Sequence, residues 1–206
     1  MSQDVNPSRQ APESMQSADA TAATAATPTT PAIPGGRVWR CGDNLDTDAL
    51  APGQYMKYGI EEIARHCLES LQPEFASQVR AGDVVVAGRN CGTGSSREQA
   101  PQALKHLGVA ALVAKSFAGL FYRNAINLGL PALVCAEADR IQAGDRISVD
   151  ARAGLIHNHT RGEQLRCEAI PAHLLQLLDD GGLLPHLERR LGGRTSNHPA
   201  PASSRE

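Results

Sequence analysis

The sequence predicts an α/β fold in which a parallel sheet with crossover helices is continued by an antiparallel meander. Three observations predict it. Short apolar runs, Asp83–Ala87, Val109–Ala114 and Ala132–Cys135, alternate with stretches whose apolar residues recur at helical spacing. That βαβαβ alternation implies parallel pairing, because each crossover helix returns the chain to the same end of the sheet. Ahead of the C-terminal helices the style changes to short segments joined by glycine-containing turns, the mark of a meander.

Taken in order, residues 1–35 are Ala, Thr, Ser, Pro and Gln with almost no large apolar side chain. Such a segment cannot bury enough surface to offset its chain entropy and reads as a disordered leader. It lacks the apolar stretch of a signal peptide, and Asp4, Glu13 and Asp19 outnumber Arg9, against a mitochondrial presequence. The folding domain is expected over residues 36–191, with a disordered tail at 192–206. Arg37–Cys41 reads as a strand entering the loop Gly42–Gly53. Ile60, Ile63, Ala64, Cys67, Leu68 and Leu71 predict an amphipathic helix that stops before Pro73. After the strand Asp83–Ala87 comes a glycine-rich turn, then a helix over Arg97–Leu107. Strand Val109–Ala114, helix Phe117–Asn127 closed by Gly129, and strand Ala132–Cys135 complete the parallel part. Arg146–Asp150, Leu155–His159 and Gln164–Glu168 are the meander strands. Helices over Pro171–Leu178 and Leu183–Leu191 follow, split by Gly181-Gly182.

Composition narrows the function classes. A net charge of -2 and 3% aromatic residues give no case for binding nucleic acid or an anionic membrane. No apolar run approaches the roughly 18 residues that cross a bilayer. The five cysteines, Cys41, Cys67, Cys91, Cys135 and Cys167, form no Cys-x-x-Cys pair. Neither a zinc site nor an iron–sulfur site of the chain's own is expected; they read as buried side chains in a reducing cytoplasm.

The most informative stretch is Gly88-Arg89-Asn90-Cys91-Gly92-Thr93-Gly94-Ser95-Ser96-Arg97-Glu98-Gln99-Ala100, between a buried strand and a helix. Gly92 and Gly94 permit positive φ and close approach to a ligand. Ser95 followed by Glu98 fits a capping box, and the helix start favours a carboxylate or alkoxide. Arg97 adds a fork able to grip a carboxylate through two bonds. The parts describe a carboxylate cradle with a hydroxyl inside it; equally, Ser95 could simply cap the helix while Arg97 faces water. The ending excludes a phosphate loop, and the glycine spacing excludes a dinucleotide fingerprint.

Three segments in order carry a resemblance. Gly92-Thr93-Gly94-Ser95-Ser96-Arg97-Glu98-Gln99-Ala100-Pro101 resembles the Gly-x-Gly-Ser-Ser-Arg-Glu-His-Ala-Pro signature of aconitase-type small subunits, the swivelling subunits of hydro-lyases such as 3-isopropylmalate dehydratase. The segment from Ser116 to Pro131 and the loop from Gly42 to Tyr55 resemble the same family's neighbouring segments, so the likeness spans most of residues 37–135. It implies a β/β/α three-layer swivelling domain that closes over a [4Fe–4S] cluster held by a larger partner subunit. It also implies reversible loss and re-addition of water on a hydroxy-dicarboxylic acid, the open iron acting as Lewis acid. By motif position, Ser95 corresponds to the base and Asp48 to an acid that orients groups near the cluster. Ser96 and Arg97 would hold a substrate carboxylate, and Tyr55-Met56-Lys57 would face its variable group. Asp48 taken alone is also a common turn residue, and Met56 a common core residue.

Departures bear on the substrate. Gln99 stands where His is usual, a form similar to homoaconitases; Gly119 replaces Arg, and Cys91 replaces an aromatic. Glycine within a helix costs roughly 1 kcal/mol relative to alanine. Isopropylmalate in leucine biosynthesis is the expected substrate, with homocitrate-like acids, dimethylmalate or methylmalate as alternatives. A non-catalytic binding module of the same fold is a third reading, opposed by the intact Ser95, Ser96, Arg97 and Asp48 set.

Overall fold

Strand β1 (Ile33–Arg40) organises the sheet, because its two halves pair in opposite senses. The first half runs antiparallel to β5 (Arg146–Asp150), with Gly36 opposite Ile147 and Arg37 opposite Arg146. The second half runs parallel to β2 (Val84–Ala87), with Val38 opposite Val84 and Arg40 opposite Val86. Gly36 is required at this changeover: a Cβ there would lie 1.8 Å from the Gly82 carbonyl oxygen. β3 (Ala111–Ala114) and β4 (Ala132–Val134) extend the parallel side, and β6 (Leu155–Asn158) and β7 (Glu163–Arg166) the antiparallel side. The seven strands lie in the order β4-β3-β2-β1-β5-β6-β7. The computed structural model describes residues 33–192.

Period-two alternation divides the core. Val38, Val84, Val86, Val113 and Leu133 are buried with Ile147, Val149, Ile156 and Leu165 of the meander. The intervening residues Trp39, Val85, Ala87, Leu112 and Ala114 are buried with Ile63, Leu68, Phe75, Leu104 and Phe121. The sheet therefore curls, its meander facing the parallel strands on one side and helices covering the other. This is the expected β/β/α layering. Each buried Val, Leu or Ile contributes roughly 1.5–3 kcal/mol relative to exposure, so a core poor in aromatics is sufficient.

The crossover helices are α4 (Gln99–His106) and α5 (Gly119–Asn127), as the spacing predicts but shorter at their N-termini. The helix expected through Leu71 is α2 (Ile60–Arg65) alone. Leu68 adopts φ 60° and donates its N–H to Ala49 O at 2.7 Å, so a tertiary bond overrides the local period. Two short helices were not expected: α1 (Thr47–Leu50), inside the first loop, and α3 (Phe75–Gln78). α6 (Ala172–Asp179) and α7 (Leu183–Gly192) agree with expectation, separated by Gly181 and Gly182 at positive φ. β1 begins at Ile33, so the last residues of the expected leader are strand. The rest of that leader, and the tail beyond Gly192, lie outside the described residues. Among the described residues no helix is long and apolar enough to cross a membrane.

Candidate active site

Three loops leave the carboxyl ends of β1, β2 and β3 and are laced together, at the end of an α/β sheet where ligands bind. Asp43 Oδ1 accepts the Arg89 N–H at 2.7 Å, and Gly92 donates its N–H to Leu45 O at 2.7 Å. Asn44 and Asn90 both take φ 56°, and the Asn90 amide donates to Asn44 Oδ1 at 3.0 Å. The third loop joins through Ser116, whose Oγ and carbonyl accept the N–H groups of Asn90 and Cys91.

Asp46 caps α1, its carboxylate accepting the Asp48 N–H at 2.6 Å. Gly94, at φ 95°, passes directly over that carboxylate; a Cβ would sit 2.8 Å from Oδ1. Buried Thr47 then turns its hydroxyl to accept the Ser95 N–H at 2.9 Å. Ser95 is held through its backbone, and its side chain is exposed, as is that of Ser96.

This overturns the capping box. Glu98, not Ser95, occupies the cap position of α4, in helical conformation and without a side-chain cap bond. The lateral tie to Thr47 draws the chain at Ser95 away from the helix axis, so the helix begins only at Gln99. The hydroxyl of Ser95 is thereby left uncommitted. The N–H groups of Gly94, Ser96 and Arg97 have no acceptor among the described residues. They are donors available to an anionic group.

Arg97 Nη1 donates to the Asp48 carboxylate and, at 3.1 Å, to Ala51 O. Its Nη2 lies 3.6 Å from where a Gly53 Cβ would stand. Asn124 of α5 donates to Ser96 O at 3.3 Å and steadies the serine pair from below. A cavity of about 340 Å³ lined by Asp48, Pro52, Gly53 and Gln54 opens beside this rim. Asp48 and Arg97 are thus joined, and Ser95 and Ser96 stand on the same turn.

Tyr55, Met56 and Lys57, expected to face a substrate, are engaged elsewhere. Tyr55 stacks on His66 with ring centroids 3.6 Å apart, Met56 packs against the helical-side core, and Lys57 reaches over Tyr58 at 5.1 Å. His66 is itself gripped by Glu69 and Glu62 at 2.6 and 3.2 Å. Its pKa is raised, first by the Glu69 hydrogen bond and then, against the opposing effect of desolvation, by Glu62. Gly119 is the first residue of α5, not an interior one, so the helix-interior penalty does not apply, and a Cβ there would meet nothing within 4 Å.

Sequence reasoning did not single out Thr47, Asp46, Asn124 or His66. Thr47 and Asn124 act through partners 48 and 28 residues away, and no local pattern marks such a bond; Asp46 and His66 have near partners in sequence, but their roles show only once the loops are folded.

The cysteines do not fit a metal cluster. Cys41, Cys67, Cys91 and Cys135 are buried and Cys167 half-buried. Burial pushes the thiols up, Cys41 to about 11 and Cys167 to about 12, away from the thiolate that ligates iron. Among the described residues no three or more His, Cys, Asp or Glu could hold a metal ion together.

Comparison with known proteins agrees with this architecture. The family described as Aconitase C-terminal domain matches residues 55–138. The methanogen homoaconitase small subunit of Methanothermobacter thermautotrophicus is 54% identical over 73% of this chain and 88% of its own length. The 3-isopropylmalate dehydratase small subunit 1 of Archaeoglobus fulgidus is 49% identical over 72% of this chain and 93% of its own. A crystal structure of 3-isopropylmalate dehydratase (LeuD) from Methanocaldococcus jannaschii superimposes with a TM-score of 0.76 at 39% identity, covering 80% of this chain and 98% of that one. The chain belongs to the aconitase-type family of small subunits that includes those of 3-isopropylmalate dehydratase and homoaconitase.

Proposed function

We propose that this chain is the small subunit of a cytoplasmic hydro-lyase that interconverts 2-isopropylmalate and 3-isopropylmalate for leucine biosynthesis. A larger subunit would carry the [4Fe–4S] cluster, since the donor set here does not suit one. The observation that carries the reading is the uncommitted Ser95 hydroxyl on a turn whose Gly94, Ser96 and Arg97 amides are free, beside the Arg97–Asp48 pair.

In this reading Ser95 accepts the proton from the carbon next to the hydroxyl-bearing one. A serine hydroxyl is a weak base in water; its alkoxide forms only where preorganised donors stabilise it. Ser96 and Arg97 hold a carboxylate of the diacid, while Asp48 orients Arg97. The exposure of this rim supports dependence on a partner: docking would expel water and strengthen every charge interaction within. Tyr55, Met56 and Lys57 border the substrate's variable group only if the segment Gly53–Lys57 shifts on assembly, as Tyr55 and Met56 are engaged elsewhere.

Co-expression with the cognate large subunit, under anaerobic conditions with iron, tests this. A panel of 2- and 3-hydroxy diacids is followed by ultraviolet absorbance of the alkene. Isopropylmalate turnover that Ser95→Ala abolishes is the expected result; full activity in the alanine variant removes Ser95 from the chemistry. Turnover of homocitrate-like acids would favour a second reading, supported by the 54% identity to the homoaconitase subunit and by Gln99. Turnover of a dimethylmalate or methylmalate alone would assign those paralogous activities. No turnover by a correctly assembled, cluster-loaded complex would favour a binding module.

A further inference from the structure

At the sheet end opposite the Ser95 turn, a cavity of about 580 Å³ is lined by Arg37, Arg80 and Arg146, with Asp83, Gln78 and Gly36. Arg37 of β1 and Arg146 of β5 are direct cross-strand partners. Residues paired in this way point to one face with Cβ atoms about 5 Å apart, and like charges so placed repel. Arg80 adds a third cation from the turn before β2.

Their guanidinium groups are engaged by an aromatic ring and by carbonyls. Arg37 lies over the Trp39 ring at 4.5 Å, Arg146 Nη2 donates to Gly35 O, and Arg80 Nη1 donates to the carbonyls of Ser77 and Val79. None of the three forms an ion pair among the described residues. Asp83 lines the same cavity, but its oxygens accept the backbone N–H groups of Arg37 and Arg80 and the indole of Trp39, each at 3.0 Å, and no guanidinium. Those bonds hold the backbone of Arg37 and Arg80 in place and so fix where two of the cations start. A rigid frame thus presents several guanidinium donors to one space, each still able to bind an oxyanion through its planar fork.

We propose that this cavity binds a small oxyanion of two or more negative charges, a phosphate or a di- or tricarboxylate, distinct from the substrate held at Arg97. The anion offsets the Arg37–Arg146 repulsion, so its binding stabilises the folded chain by mass action.

Thermal unfolding of the full chain with inorganic phosphate, and separately with citrate, against sodium chloride of equal ionic strength, tests the inference. A rise in the midpoint with phosphate or citrate but not with chloride is expected, and the stronger arm identifies the anion class. Arg146→Gln and Arg80→Gln should each weaken the apparent affinity about tenfold, the loss of one charge-assisted bond. Arg97→Gln should leave the phosphate-induced midpoint shift intact. Without added anion, Arg146→Gln should unfold at a higher temperature than the parent chain, because the cross-strand repulsion is gone. An equal shift with chloride, an unchanged shift in both Arg146→Gln and Arg80→Gln, or loss of the phosphate shift in Arg97→Gln would each overturn the proposal.

Discussion

Arg97 and Asp48, 49 positions apart in sequence, are joined by a guanidinium–carboxylate bond that ties the turn before α4 to the first turn of α1. The Asp48 side chain is 65% exposed and that of Arg97 25%, so water screens the attraction and the pair adds only about 0–1 kcal/mol to stability. Its value lies in position. Asp48→Asn should therefore leave the unfolding midpoint nearly unchanged while lowering kcat/KM of the assembled enzyme about ten- to hundredfold. Arg97→Lys should not restore what Arg97→Gln loses, since an ammonium cannot bridge Asp48 and Ala51 O and still present a second donor edge as a planar fork does. Steady-state kinetics beside thermal melts of the same variants check both statements.

Gly94 makes a second claim on the same loop. At φ 95°, with the Asp46 carboxylate 2.8 Å from a would-be Cβ, alanine is strained in backbone and crowded in space. The cheapest relief is to push Asp46 off the Asp48 N–H, which uncaps α1. Gly94→Ala should cost about 1–3 kcal/mol in denaturant unfolding and reduce turnover well beyond what that loss explains. Asp46→Asn shrinks no atom and keeps an acceptor, so it should be far milder.

These two cases mark the border of what the sequence discloses. The parallel strands were legible because Val84–Ala87 and Ala111–Ala114 are buried on both faces, and such strands read as unbroken apolar runs. The meander was legible through its short segments and the glycine-containing turns that join them. The site was legible as a set of residues but not as a geometry. Ser95 and Glu98 satisfy the spacing of a capping box, yet the Thr47 hydroxyl competes for the Ser95 backbone and wins. A tertiary bond of this kind has no local period, and neither does the Leu68–Ala49 bond that ends α2 early. Tyr55 was hard to place for a related reason: an aromatic beside a loop is ambiguous until its partner, here His66, is known.

The Tyr55–His66 stack carries a pH dependence. His66 has its pKa raised from 6.5, first by the Glu69 hydrogen bond, so the folded chain holds its proton more tightly than the unfolded chain does. A group whose folded pKa is raised contributes stability that is full below the unfolded value and fades as pH rises through the folded one. The midpoint difference between the parent chain and His66→Gln should therefore be largest below pH 6.5 and should shrink as pH rises through the raised folded pKa. The imidazole resonance followed by nuclear magnetic resonance should titrate above its value in unfolded chain. A titration at or below that value would remove the glutamates from the explanation.

Asp83 provides the sharpest test of the fold itself. It is buried, and its two oxygens accept three donors at 3.0 Å: the backbone N–H groups of Arg37 and Arg80 and the Trp39 indole. Asp83→Ala leaves all three donors without an acceptor where water enters poorly, and each unsatisfied buried group costs about 1–3 kcal/mol. The sum should be about 3 kcal/mol or more, enough to threaten a domain of ordinary marginal stability. Asp83→Asn keeps one acceptor oxygen but turns a donor toward donors, so it should recover only part of the loss. Trp39 is the sole tryptophan, and its fluorescence reports the site directly during urea unfolding. Because Trp39 also meets Phe75 edge-on at 5.0 Å, loss of the indole bond should loosen the helical layer before the meander. Tryptophan emission should then shift at lower urea than the far-ultraviolet signal in Asp83→Asn, whereas the two should coincide in the parent chain.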